Sequence, residues 1–308
     1  MVGLVAQLEG IILLLMLLHS ILGSPIITNY IQHICYCIGS PPDPNTASKF
    51  QILIVDPDET PESLLSQYKE MGRTVLAYIN VGYAEDWRQY WNNTLLQKII
   101  HNETEYEGEY YVEYWNSLWL QTVTNYVEAY LNNGYDGIYL DNIDAYIVLN
   151  ESNYTWIQGI NLREEMIQLI AKLSTIAKNL TGNQALVYVN IGGALEDLEG
   201  GTILADYIDG YLREEVIFYS QAKCVNKRVP PSDWWNQESY LIQGVKAGLD
   251  VNVVEFVQDY SEAIYSMLVH VRWGIHVILQ PSCDPDYTQP PLQLSQDPTG
   301  MYTLYPSK

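Results

Sequence analysis

Lysine and arginine are scarce in this chain. Fifteen stand against 37 aspartates and glutamates, a formal net charge of −22 over 308 residues. Such a surface repels phosphate backbones, which argues against nucleic acid as a partner. It suits a neutral or cationic partner, or solubility in an acidic or salty medium. Cysteine is sparse too: Cys35, Cys37, Cys224 and Cys283 form no C-x-x-C pair and have no histidine at zinc-site spacing, so no metal centre is legible. Phenylalanine is nearly missing (3) while tyrosine is abundant (26). Aromatic planes with a polar edge suit wet clefts and sugar faces, and equally barrel–helix contacts. No glycine-rich phosphate loop follows the first strand, so a dinucleotide cofactor has no support. No serine sits in a nucleophile elbow, and none of the histidines 19, 33, 101, 270 and 276 ends a strand. Carboxylates are left as the available acid, base or nucleophile.

Hydrophobic residues make up 48% of the chain and charged ones 17%, enough apolar material for a sizeable core. Residues 11–18 are almost unbroken aliphatic, too short for a membrane span and suited to a signal-peptide core, although Glu9 precedes them and no basic residue does. Residues 1–24 therefore read as a signal peptide or a retained N-terminal anchor, the one route to a membrane. Five N-x-[ST] sequons, at Asn92, Asn102, Asn150, Asn153 and Asn179, favour an extracellular or cell-surface glycoprotein. If Cys35 or Cys37 lies on the first strand and Cys283 just beyond the last, barrel closure would make them neighbours and a disulfide there would staple it.

Apolar runs ending in breakers or polar residues mark eight barrel strands: 30–38, 51–55, 75–81, 138–140, 186–191, within 207–216, 251–257 and 275–279. Helical segments separate most of them, at 84–91, 118–131, 162–180, 240–247 and 261–270, with a further helix opened by Thr60 as N-cap and Pro61. Alternation of this kind gives α/β architecture with parallel strands, and eight repeats in this length give a closed (β/α)8 TIM barrel. Residues 25–284 form it as a single domain with no internal repeat or linker. Residues 92–109 read as a polar excursion, and 285–308 as a loose proline-rich tail.

The C-terminal strand tips of such a barrel converge on one cleft. The stretch 134–146, GYDGIYLDNIDAY, delivers Asp141, Asn142 and Asp144 there, with Asp136 before Gly137 read as a turn residue. The other tips bring Asp56, Tyr78, Asn80, Asn190, Arg213, Glu214 and Glu255. Adjacent strand residues face opposite sides, so only one of Arg213 and Glu214 points into the mouth, and Glu215 shares that ambiguity. Two carboxylates amid Tyr, Trp and Asn are the equipment for glycoside hydrolysis. Trp87, Trp91, Trp115, Trp119, Trp234 and Trp235 could stack on sugars, but each taken singly is first expected to pack helix against barrel.

Three blocks carry a family resemblance. VLAYINVGYAEDWRQYW (75–91) is similar to the AYxSxGEAExxR strand of glycoside hydrolase family 114, GYDGIYLDNIDAY resembles its GxDGVxLDNxDxY, and YIDGYLREEVIFY (207–219) its DGxxxE segment. The blocks stand in family order, and the similarity runs over roughly residues 30–279. The resemblance implies a secreted (β/α)8 barrel of the endo-α-1,4-polygalactosaminidase type, acting on galactosamine-containing polysaccharide without a cofactor. It implies Asp141 as nucleophile and Glu214 as acid/base, with Tyr78, Asn142, Asp144 and Asn190 shaping the sugar pocket. Glu85 is kept, but Tyr83 stands where the family usually has the first Glu of G-E-A-E. That departure favours the alternative expectation, a glycan-binding or structural barrel without catalysis.

Overall fold

The computed structural model describes residues 33–198, 203–221, 225–281, 290–296 and 302–305. The leader, Cys224 and Cys283 lie outside them. The chain runs through β1 (Ile34–Cys37), α1 (Pro44–Ala47), β2 (Ile52–Val55), α2 (Glu62–Glu70) and β3 (Thr74–Asn80). An excursion follows with β4 (Tyr83–Glu85), β5 (Ile100–Glu103) and β6 (Glu109–Val112), then α3 (Ser117–Asn132), β7 (Gly137–Asp141), α4 (Ala145–Glu151), α5 (Leu162–Thr181) and β8 (Leu186–Asn190). The last third holds β9 (Gly210–Glu214), the β10 (Phe218–Gln221) and β11 (Val225–Arg228) hairpin, α6 (Pro231–Lys246), β12 (Asp250–Val257), α7 (Tyr260–His270) and β13 (His276–Pro281).

Eight strands form one sheet in the order β1-β2-β3-β7-β8-β9-β12-β13, all neighbours parallel. β1 and β13, at the two ends of that order, lie in contact, so the sheet curls into a nearly closed barrel. Strand periodicity sorts the side chains into two cores. Ile34, Tyr36, Ile54, Leu76, Tyr78, Tyr139, Tyr188, Leu212, Val254, Phe256 and Ile278 fill the barrel interior. Cys35, Leu53, Ala77, Ile138, Val187, Tyr211 and Val253 face outward into a second core with the helices. Tyrosine suits the interior because its hydroxyl can reach polar groups at the ends: Tyr78 serves the upper mouth and Tyr188 the lower.

Two Asp-Gly pairs anchor the lower ends of β7 and β9 in the same way. Asp136 accepts from the Val75 amide at 2.8 Å and pairs with Lys69 of α2. Asp209 accepts from the Val187 amide at 2.8 Å and from Lys178 of α5 at 3.0 Å. Each aspartate ties a strand start to the neighbouring strand and to a helix end. The turn role expected of Asp136 is thus a barrel-base anchor.

Several expectations change. Residues 84–91 are not a helix: Tyr83–Glu85 pairs with β6, and a short 3-10 turn covers Gln89–Asn92. The excursion is no bare loop but a three-stranded antiparallel sheet in the order β4-β6-β5. Thr60 does not cap α2; Pro61 occupies the N-cap position and the Thr60 hydroxyl donates to the Asp56 carbonyl at 2.7 Å. In the tail expected to be loose, Gln293–Gln296 and Tyr302–Tyr305 pair antiparallel. No helix among the described residues is long and apolar enough to cross a membrane.

Candidate active site

The strand tips surround a cleft of about 460 Å³. Asp141, the last residue of β7, faces it with both carboxylate oxygens occupied: the Tyr78 hydroxyl donates to Oδ2 at 2.8 Å and the Asn142 amide to Oδ1 at 2.9 Å. Burial pushes its carboxyl above the usual range, against the pull of these donors and of Asn190. Glu214 ends β9 and accepts from Asn190 Nδ2 at 2.9 Å. Asn190, at the tip of the intervening β8, therefore stands between the strands that carry the two carboxylates.

Backbone turns sharpen both tips. Asn142 has φ 58° and Glu215 φ 60°, so each carboxylate is followed by a residue in the left-handed region. Asparagine tolerates that region better than glutamate, and strain of this sort collects at functional sites. The two adjacent glutamates part here: Glu214 lines the cleft, while Glu215 accepts from the Ser220 amide of β10 at 2.9 Å. Gly82 lets the β3 and β7 tips meet, since a Cβ there would lie 2.1 Å from the Asn142 carbonyl oxygen. Gly192, at φ 45°, leaves room for the Asp144 carboxylate, which accepts from the Gly193 amide at 2.7 Å.

One wall is built on Arg88. Its guanidinium makes a two-pronged bond to Asp56, both at 2.8 Å, and reaches Glu85 at 2.6 Å and Asp58 at 2.9 Å. Asp56 and Glu85 line the cleft as expected, but their charge is committed to Arg88. The excursion sheet, to which Glu85 belongs, extends this wall. Glu109 accepts from Asn80 Nδ2 at 3.1 Å, and burial, with Glu85 and Asp141 nearby, pushes its carboxyl up to about 7. Trp87 and Tyr106, 57% and 66% exposed, stand at the rim as flat apolar faces.

Of the expected site residues, Asp56, Tyr78, Glu85, Asp141, Asn142, Asn190 and Glu214 line the cleft. Asn80 and Asp144 sit behind it, Asn80 holding Glu109 and the Tyr83 amide, Asp144 the loop after β8. Arg213 and Glu255 are corrections, because strand alternation turns both outward. Arg213 Nε donates to Gln237 of α6 at 3.1 Å. Glu255 is fully buried and accepts from the Ile217 and Phe218 amides and from His270, which locks the chain beyond Glu214 from behind. Tyr83 is buried edge-on against Tyr111 and does not line the cleft. Arg88, Glu109 and Tyr106 were missed. Arg88 stands in the AExxR signature, and its spacing from Glu85 could have marked an ion pair.

Glu109 gives a stability test. Its folded-state pKa lies above the unfolded value of a glutamate, so the native state holds the extra proton between the two. Wild-type stability should therefore fall as pH rises from about 4.5 to about 7 through this group. Glu109→Gln should flatten that slope and raise Tm at pH 8; melting curves that shift in parallel across pH would contradict it.

A parallel barrel with paired carboxylates at its mouth defines the class, and sequence comparison gives the family. The profile of glycoside-hydrolase family GH114 matches residues 28–272, and the chain belongs to that family. An uncharacterized protein of Methanocaldococcus jannaschii is 28% identical over 69% of this chain and 62% of its own length. One from Thermotoga maritima is 25% identical over 71% of this chain and 68% of its own. The chain thus spans a little under two thirds of the first of these relatives and slightly more of the second. Among solved structures, the glycoside hydrolase domain of PelA from Pseudomonas aeruginosa superposes with a TM-score of 0.63 at 14% identity, covering 83% of this chain and 96% of that one. Aspergillus fumigatus Ega3, solved in complex with galactosamine, gives 0.61 at 14% identity, covering 83% and 92%. These two likenesses concern the fold.

Proposed function

We propose that this protein is an exported glycoside hydrolase that cleaves an α-linked, galactosamine-containing polysaccharide, with Asp141 as nucleophile and Glu214 as acid/base. The observation that carries the reading is that Asp141 and Glu214 line one cleft with Asn190, which donates to Glu214, on the strand between them. Glu214 protonates the glycosidic oxygen as Asp141 attacks the anomeric carbon, and the leaving chain departs with that proton. Glu214 then takes a proton from water, whose oxygen displaces Asp141 and restores both groups. The Tyr78 and Asn142 donors stabilise the Asp141 anion before attack and on its release.

The lining charge supports a cationic substrate. Asp56, Glu85, Glu107, Glu109, Asp141 and Glu214 face Arg88 as the single cation among the lining residues. An ammonium bound beside Glu109 would favour its anion and gain a charge-assisted hydrogen bond. The galactosamine bound in the Ega3 structure is consistent with such a ligand. Reducing-end release from a galactosamine polymer before and after chemical N-acetylation tests the substrate. Cleavage should be lost on acetylation, and equal cleavage of both forms would remove the ammonium from recognition.

Export is supported by the sequons: Asn92, Asn102, Asn150, Asn153 and Asn179 are all exposed. Protein collected from the medium of a eukaryotic host should lose mass on enzymatic N-deglycosylation. An unchanged mass would withdraw the glycoprotein assignment.

A further inference from the structure

The other end of the barrel holds a side-chain cluster that the hydrolase reading does not use. His33 directly precedes β1, Asp250 opens β12 and His276 opens β13, so the three meet where the two ends of the sheet come together. The imidazoles of His33 and His276 stack with centroids 3.9 Å apart and planes 18° off parallel. Both aim Nε2 at the same carboxylate: His33 lies 2.8 Å from Asp250 Oδ2 and His276 3.5 Å from Oδ1. One ligand atom from each residue falls within 4.8 Å of the others. The Tyr188 hydroxyl donates to Asp250 Oδ2 at 2.6 Å and orients the carboxylate from inside the barrel. The side chains are 15%, 21% and 20% exposed, recessed but open to a small ion.

We infer that His33, Asp250 and His276 form a zinc site that clamps the barrel seam. Two imidazole nitrogens and one carboxylate oxygen are a zinc donor set, and a water completes the tetrahedron. Calcium and magnesium require shells of oxygen, which this cluster does not offer. Ligand atoms around tetrahedral zinc lie about 3.3 Å apart, from metal–ligand distances of about 2.0–2.1 Å. The separations of 2.8 Å, to Oδ2, and 3.5 Å, to Oδ1, are of that order, and binding would turn the stacked rings out of parallel so that both Nε2 atoms converge on the ion. A hydrogen-bonded staple alone would need one histidine on Asp250. The second Nε2, turned toward the other oxygen, supplies the further nitrogen donor that a zinc site requires. No metal site was legible in the sequence because His33 and Asp250 are 217 residues apart and only barrel closure unites them.

The site is remote from the chemistry. Asp250 pairs with Gly210 and Val254 with Glu214, so four residues, about 13 Å of strand, separate the two levels. Zinc should therefore alter stability and leave turnover at low temperature unchanged.

The test uses the full chain stripped with chelator and then titrated with zinc, calcium or magnesium. Calorimetry should find one zinc per chain, with Tm rising roughly 4–5 °C when free zinc exceeds Kd about a hundredfold. Calcium and magnesium should give no shift. His33→Gln and His276→Gln should each abolish the site, while His101→Gln, on the excursion sheet, keeps it. X-ray absorption of the zinc-loaded wild type, which needs no variant to fold, should show two imidazoles and no sulfur. Absence of a saturable site, its persistence in both histidine variants, or a sulfur-containing shell would each overturn the assignment.

Discussion

Glu214→Gln is expected to lower kcat by roughly 10²–10⁴-fold, the usual contribution of a general acid/base, with little change in Tm. The amide keeps the size of the carboxylate, and its oxygen can still accept from Asn190 Nδ2, which now bonds Glu214 Oε1 at 2.9 Å. What is lost is the proton delivered to the leaving oxygen. Asp141→Asn should be at least as damaging, because an amide does not attack the anomeric carbon. Its oxygen can keep the Asn142 amide bond, and its NH2 can donate to the Tyr78 hydroxyl, which then turns from donor to acceptor. Stability should stay within about 1 kcal/mol of wild type, since the burial cost of a charge disappears while both neighbouring groups keep a hydrogen bond. Initial rates beside thermal melts check both substitutions. Wild-type turnover in either variant removes that residue from the mechanism, and a lost fold would make the rate uninformative about chemistry.

Arg88→Ala carries the largest expected stability effect. The guanidinium is buried and satisfies Asp56, Glu85 and Asp58 at once. Removing it leaves buried carboxylates facing one another, which should cost about 3–5 kcal/mol, as for other broken buried pairs. Activity should fall too, because Asp56 and Glu85 form one wall of the cleft. Arg88→Lys should recover only part of either loss: an ammonium cannot make the two-pronged bond to Asp56 while also reaching Glu85. Urea denaturation of the three proteins measures the effect. A change below about 1 kcal/mol for Arg88→Ala, the range of a surface pair, would contradict the role given to Arg88.

The barrel was legible because its strands are short apolar runs closed by breakers, and tip residues such as Asp141 and Glu214 follow directly from where the runs end. The direction of side chains was less legible. β12 is apolar on both faces, as parallel strands under helices are, so Val253 and Val254 give no clue to which side Glu255 takes. Of the excursion sheet only the β character of residues 110–115 was legible, because its short strands are polar on one face and pair across the Gly108 turn and back to Tyr83–Glu85. Glu109 and Tyr106 enter the cleft only through that pairing. Arg88 was in view within AEDWR, yet its tie to Asp56 spans 32 residues and exists only once β2 and β3 are neighbours.

The central claim is that Asp141 and Glu214 perform glycoside hydrolysis in this cleft. The most direct measurement is reducing-end release from a panel of polysaccharides that includes galactosaminogalactan and chitosan, with wild type, Asp141→Asn and Glu214→Gln run side by side. The account expects wild type to cleave a galactosamine-containing polymer and both folded variants to fail. Binding of a glycan by all three proteins with cleavage by none, or equal cleavage by all, would contradict it.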